Sequence, residues 1–274
     1  MSRKKTILRD DLASLLKKFS SSDVVGKIAK EYASASSLLM PLGSIVDNHY
    51  LAHIAPDRRE LEKMMVSLQS DREVAPLVVR PFDGRYEIVL GRRRYHAALK
   101  LGMNEVPVIV KPYSDVEMLL TIFVNLRQSR ENYSLSLATL GQALIEEFGY
   151  SQAALGQVGQ MSRPTVANFL RMLRLPLEIQ TLVSSGELSY GHARALINLA
   201  PERQTEYLVL IKANKWSVRQ LERAIAQTRS SVKEDTGMTA RNQYILKENE
   251  LNIRFKNQRA AQRFLKRLKS LKLL

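Results

Sequence analysis

Residues 150–175, YSQAALGQVGQMSRPTVANFLRMLRL, carry the pattern of two short helices around a tight turn. The first helix, 151–158, places Ala154, Leu155 and Val158 at helical spacing. Gly159, Gln160 and Met161 make the turn, with Gln160 where such turns usually carry Gly. Ser162 is set to cap the second helix through its hydroxyl. Pro164 falls in the first turn, where its missing N–H removes no bond. Val166, Phe169, Leu170 and Leu173 share one face and are expected to pack inward, leaving Arg163, Thr165, Asn168 and Arg171 outward. This is a helix-turn-helix pattern. A second helix of this kind can enter the major groove of DNA, where Arg pairs with guanine edges and Asn with adenine edges. The candidate reading set is Ser162, Arg163, Thr165, Asn168 and Arg171. On this stretch alone, an ordinary helical hairpin with a solvated polar face remains an equal alternative.

Charge narrows the choice of partner. The chain of 274 residues has 42 Lys and Arg against 27 Asp and Glu, a net charge of +15. That balance favours a polyanion, nucleic acid above all. There is no cysteine, which excludes disulfides, cysteine zinc sites and thiol catalysis. A hydrophobic fraction of 45% suits a sizeable core spread over two or three small domains. No run approaches the roughly 20 apolar residues of a membrane span, and the start, MSRKKTILRDDLASLLKKF, has no signal-peptide pattern. A cytoplasmic, nucleoid- or plasmid-associated protein without a membrane partner is expected.

Upstream of the helix-turn-helix, 38–130 reads as an α/β domain. A strand is expected at 42–46, and a helix at 57–69 opened by the capping-box spacing of Asp57 and Glu60. Strands follow at 77–80 and 86–90, joined by the hairpin signal Asp83-Gly84. Gly91-Arg92-Arg93-Arg94-Tyr95-His96 comes straight after a strand and opens a helix ending near Gly102. Glycine lets the backbone approach a ligand, the helix start offers free amides, and arginine binds phosphate bidentately. Gly91, Arg92, Arg93 and Arg94 are therefore candidate phosphate ligands, with a solvated basic turn as the alternative. A strand at 106–110 and a helix at 115–125 complete the domain.

The helix-turn-helix domain, 131–229, continues with helices at 135–148, 176–185, 189–199, 202–213 and 217–228. Arg194 is a further candidate DNA contact. Residues 1–37 are expected to be a flexible tail holding an amphipathic helix at 6–19, either a docking peptide for a partner or simply solvated. Residues 230–242 are expected to be a linker. Residues 243–274 read as a small ββα unit: strands at 243–247 and 251–256, then a helix at 257–273. Such a unit is too short to be stable alone, so pairing with a second copy is expected. Its basic face, including Arg263, Lys266, Arg267 and Lys269, is the candidate non-specific DNA surface. The fold class is thus α+β and mainly helical. His49 and His53 have i, i+4 spacing but no compact acidic or Cys company, so no metal site is expected. No catalytic set stands out.

The ordered pieces over roughly 38–228 resemble the ParB/RepB family of DNA-partition proteins. The resemblance rests on Pro76 through Pro81, on Gly91 through His96, on Ser162, Arg163, Val166, Ala167, Asn168 and Leu173, and on the run GELSYGHARAL at 186–196. It implies a homodimer that binds a centromere-like inverted repeat of double-stranded DNA and works with a ParA-type ATPase in plasmid or chromosome segregation. It also implies CTP with Mg2+ in the N-terminal domain, and adds Asn125 to the candidate nucleotide site. The alternatives are a transcriptional regulator built on the same reading head and a CTP-dependent hydrolase switch. The chain departs from the family box at two positions: Arg92 stands where the family has an acid, and His96 where it has Arg. Arg72 and Ala75 replace the family's Gly and Gln before Pro76. Loss of the acid sets hydrolysis against the resemblance, leaving at most a slow CTP hydrolase.

Overall fold

The protein is described by a computed structural model. It covers residues 9–20, 26, 30, 32, 34–70, 75–129, 133–235, 242–247, 250–255, 262 and 264. The chain divides into two compact units, Met1–Val209 and Leu210–Leu274.

The first unit is built on a mixed sheet of β1 (Leu38–Pro41), β2 (Ile45–Val46), β3 (Leu77–Phe82), β4 (Arg85–Leu90) and β5 (Glu105–Val110), in the order β1-β5-β3-β4-β2. β3 and β4 form the expected hairpin. Asp83 and Gly84 both take positive φ, 46° and 71°, as a two-residue primed turn requires. β3 pairs in parallel with β5, and β4 in parallel with β2. Successive residues alternate between two cores, as a pleated strand dictates. Leu77, Val79, Ile88, Val106 and Val108 face one cluster with Tyr95 and Ala98, while Val78 and Val89 face another.

The expected strand at 42–46 is corrected. Leu42–Ser44 is a short 3-10 turn, and strand structure lies on either side of it. β1 was missed because only Met40 of its four residues is buried, so it shows no apolar alternation. Its partner is β5, antiparallel, far along the chain.

Helices α2 (Arg58–Ser70) and α3 (Arg92–Lys100) follow the expected positions. α4 (Asp115–Gln128) opens with a capping box between Ser114 and Glu117 and is buried without a break from Val116 to Val124 except at Glu117. A helix apolar on all sides belongs inside. Its cluster joins the sheet residues Val78 and Val89 to Leu155, Val158 and Val166 of the helix-turn-helix, so the α/β part and the reading head share one core. α1 (Arg9–Phe19) packs on α4 and on the first helix of the helix-turn-helix, with Phe19 1% exposed. The amphipathic helix of the tail is thus present, and its apolar side is seated rather than solvated.

Then come α5 (Ser134–Glu146), α6 (Gln152–Val158), α7 (Arg163–Met172), α8 (Leu177–Ser184), α9 (Tyr190–Leu196) and α10 (Pro201–Asn214). In the second unit, α11 (Val218–Asp235) starts at the Ser217–Gln220 box, where each residue's side chain bonds the other's backbone N–H. It continues beyond the expected end at 228, through part of the stretch expected as linker. Serine inside a helix costs only tenths of a kcal/mol against roughly 3 for Pro, so Ser230 and Ser231 do not stop it. β6 (Asn242–Lys247) and β7 (Glu250–Phe255) form an antiparallel pair with Asn242 opposite Phe255. Of the helix expected at 257–273 only Gln262 and Phe264 are described, both helical; Arg263, Lys266, Arg267 and Lys269 lie outside the described residues.

Candidate nucleotide cavity and DNA-reading helix

A cavity of about 300 Å3 opens where the end of β4, the first turn of α3, the loop 48–57 and the end of α4 meet, closed on one side by the end of α8. Gly91, Arg92, Arg93, Arg94 and Asn125 all line it. Gly91 has φ +94°, a conformation that demands glycine, and an added Cβ would also push on Leu77 Cδ2, 2.7 Å away. Ser114, Ser151, Ser162 and Ser189 cap their helices through their side chains; Gly91 gives α3 no such cap. A helix start without a side-chain cap is a place where an anion or water can bind.

The three arginines differ in use. Arg92 is committed to the protein itself. Its Nε donates to Asp47 Oδ1 at 2.7 Å and its Nη2 to Asp47 Oδ2 at 2.8 Å, with the Leu51 and Ile54 carbonyls each at 2.8 Å from Nη2. His96 Nε2 lies 3.0 Å from the same Asp47 Oδ2. The two departures from the family box thus meet on one carboxylate and brace the loop that walls the cavity. Arg93 Nη1 is 3.1 Å from Glu60 Oε2. Among the described residues Arg94 makes one long hydrogen bond, 3.4 Å to the Pro76 carbonyl; burial and then the Arg93 charge press it below the usual arginine value, which a bound anion would oppose.

The loop is anchored from the sheet as well. Glu87 is 0% exposed. Its Oε2 accepts from Arg80 Nε at 2.8 Å, with Arg80 Nη2 in ion-pair distance at 2.7 Å, and its Oε1 lies 2.5 Å from His49 Nδ1. Arg80 also reaches Asp115 at 2.8 Å and the Tyr113 carbonyl at 3.1 Å. His49 stacks on Phe82 with ring centres 5.2 Å apart. Its place is structural.

Burial opposes the charge on Asp47, yet hydrogen bonds from His96 and Arg92 outweigh it and hold the carboxyl well below the usual aspartate range. The folded value is the depressed one. The Asp47 contribution is therefore complete above the unfolded value of about 4 and is lost as pH falls below it. Asp47→Asn should flatten the acid limb of stability between about pH 4 and pH 2. Denaturant midpoints measured across that range check this; parallel curves for the two proteins would show that Asp47 does not carry the dependence.

Among the described residues, Asp57 and Glu60 are the carboxylates that line the cavity. Glu60 already takes Lys63 at 2.7 Å and Arg93, and these neighbours lower its pKa, Lys63 first. Asp57 Oδ1 accepts from the Glu60 amide at 3.1 Å, and Oδ2 lies against Gly186, 1.9 Å from where a Cβ would be. Among the described residues no group of three or more His, Cys, Asp or Glu could hold a metal. Magnesium asks for one or two available carboxylates beside substrate phosphates. The described residues do not fit it.

The reading head follows the expected plan. In α6, Ser151 accepts from the Ala154 amide at 3.0 Å. Gln160 has φ 50°, the left-handed conformation that explains why turns of this kind favour Gly there. The turn is tight: a Cβ on Gly156 would sit 2.9 Å from the Met161 carbonyl oxygen. Ser162 caps α7, accepting from the Thr165 amide at 3.3 Å, with the two hydroxyls 2.8 Å apart. Val166 is buried, while Phe169, Leu170 and Leu173 are half-buried against the core. Met172, at 1% exposed, is a core residue that the helical pattern left out.

Ser162 and Arg163 are exposed at the start of α7, and Arg194 is exposed on α9; Thr165, Asn168 and Arg171 are half-buried. Arg171 donates to Asn168 Oδ1, and its Nη1 donates to Asn198 Oδ1 at 3.1 Å. Asn198 and Asp47 are site residues that sequence reasoning missed. Neither belongs to a motif, and each meets its arginine only through the fold. Phe169 and Tyr190, with ring centres 5.1 Å apart, fasten α7 to α9.

An α/β domain with an arginine-walled cavity thus shares its core with a helix-turn-helix. Residues 28–125 match the ParB N-terminal domain and residues 134–230 the ParB HTH domain. A nucleoid occlusion protein of Bacillus mycoides is 35% identical over 71% of this chain and 68% of its own length. A probable chromosome-partitioning protein ParB of Coxiella burnetii is 34% identical over 65% of this chain and 61% of its own. The chain belongs to the ParB family, and the matched part spans roughly two thirds of these relatives. Among solved structures, truncated ParB from Caulobacter crescentus complexed to the centromeric parS site is 32% identical, covering 70% of this chain and 100% of that one, with a TM-score of 0.40. The same protein complexed with CTP-gamma-S is 33% identical over 61% of this chain and 94% of that one, TM-score 0.31. No helix among the described residues is long and apolar enough to cross a membrane.

Proposed function

We propose that this protein is a sequence-specific DNA-binding partition protein, loading as a homodimer at a centromere-like inverted repeat and working with a ParA-type ATPase on the nucleoid or a plasmid. The observation that carries the reading is α7: a capped helix start with Ser162 and Arg163 exposed, in a helix-turn-helix seated on the core of a ParB-type chain. Arg163, Asn168 and Arg171 would read bases, while Ser162, Thr165 and Arg194 would position the backbone. A two-fold dimer matches a two-fold DNA site. Footprinting across DNA flanking the gene tests this. A protected inverted repeat is expected; uniform cleavage throughout would sink the proposal.

The cavity supports a nucleotide, with CTP the ligand that family membership favours. Gly91, Arg93, Arg94 and Asn125 would hold it, and Arg92 would act through Asp47 on the cavity wall. Because the end of α8 lines the same cavity as the Gly91 turn, a bound nucleotide would touch both the α/β part and the helical part. The basic residues Arg263, Lys266, Arg267 and Lys269 would add non-specific contacts. Replacing Lys266, Arg267 and Lys269 together should make the log affinity–log salt slope shallower by about 2–3, measured on non-cognate duplex; an unchanged slope returns them to solvent.

A second reading comes from the relatives called nucleoid occlusion proteins. It keeps the reading head and dispenses with the ATPase. Stimulation of a ParA-type ATPase by this chain separates the two.

A further inference from the structure

We propose that the cavity binds its nucleotide as the metal-free anion, with no divalent cation bridging the phosphates. This rests on the nucleotide reading above and concerns how that site neutralises charge. Position 92 is the pivot. The family has an acid there; here a guanidinium occupies it and is locked to Asp47 and to two loop carbonyls. The exchange puts a guanidinium where the family has a carboxylate, and that guanidinium is paired with Asp47 behind the wall. Of the acids left on the wall, Glu60 carries Lys63 and Arg93, and Asp57 opens α2 under the Gly186 backbone.

Beside these two paired acids the cavity is faced by cations. Arg93 and Arg94 stand in the first turn of α3, whose start has no side-chain cap, and both line the cavity. Among the described residues Arg94 makes one long bond, and Arg93 can exchange Glu60 for phosphate. Guanidinium and helix-start amides bind phosphate oxygens directly. A magnesium ion placed among them would meet like charges and find few anionic oxygens from the protein. The cation's work is therefore done by the chain itself.

The experiment is a calorimetric titration of the full-length protein with CTP, once in Mg2+ and once in EDTA at matched ionic strength, repeated with Arg94→Gln after a thermal melt shows that the variant is folded. The proposal expects dissociation constants in the two buffers within about threefold, and both weakened about tenfold or more by Arg94→Gln. Affinity about tenfold or more weaker in EDTA overturns it and leaves the nucleotide reading standing. No binding in either buffer removes both. Binding that Arg94→Gln leaves unchanged overturns the assignment to this cavity.

Discussion

Arg80→Ala is expected to lower folding stability by about 3–5 kcal/mol, because it strands a buried carboxylate. Glu87 is 0% exposed at the centre of the sheet, and Arg80, 3% exposed, is its main cationic partner. The loss is a large share of the roughly 5–15 kcal/mol that holds a typical domain together. Urea unfolding of the first unit measures it. Removing both charges tells more. Arg80→Met with Glu87→Met leaves no ion stranded inside the sheet, only the partly exposed Asp115 without its Arg80 contact, and should recover much of the loss, since apolar replacement of a buried pair is often close to neutral. The double variant also frees His49, whose backbone and ring nitrogens both bond Glu87, so its cavity should hold nucleotide less well than its stability suggests. A drop of under about 1 kcal/mol for Arg80→Ala would mean that His49 and water compensate, and that the pair is not the keystone of the sheet.

Arg163→Ala and Asn168→Ala are each expected to weaken binding to the cognate repeat by about 1–3 kcal/mol, roughly ten- to hundredfold. Arg163 is exposed at the helix start, where recognition helices touch base edges. Asn168 acts in two ways: its amide can face adenine, and its oxygen holds the Arg171 guanidinium, which Asn198 grips from the other side. Its removal therefore loosens a second reader. Non-specific binding should change far less, because it depends on phosphate contacts across the whole basic surface. Gel-shift titrations on cognate and scrambled duplexes at one salt concentration give both numbers. Equal losses on the two duplexes would show that these residues meet phosphate and not bases.

Local signals in the sequence were reliable guides to this structure. The Asp83-Gly84 hairpin, the Ser217–Gln220 box and the Ser162–Pro164 helix start each involve neighbours a few residues apart, and each forms where expected. What could not be read was non-local. Arg92 reads as a phosphate ligand because it stands beside two other arginines; the carboxylate it bonds in the fold, Asp47, lies 45 residues away. The placement of α1 against α4 and α6 is of the same kind. Its amphipathic pattern announced an apolar face without saying what would cover it. β1 has almost no burial pattern to read, because three of its four residues are exposed at the sheet edge.

Sequence-specific recognition by α7 is the claim on which the partition role depends. Its most direct measurement is the affinity of the full-length protein for its footprinted repeat against a scrambled duplex of equal length and salt. A preference of about a thousandfold or more is predicted. Equal affinity for the two duplexes would contradict the account and leave a basic protein that binds DNA by charge alone.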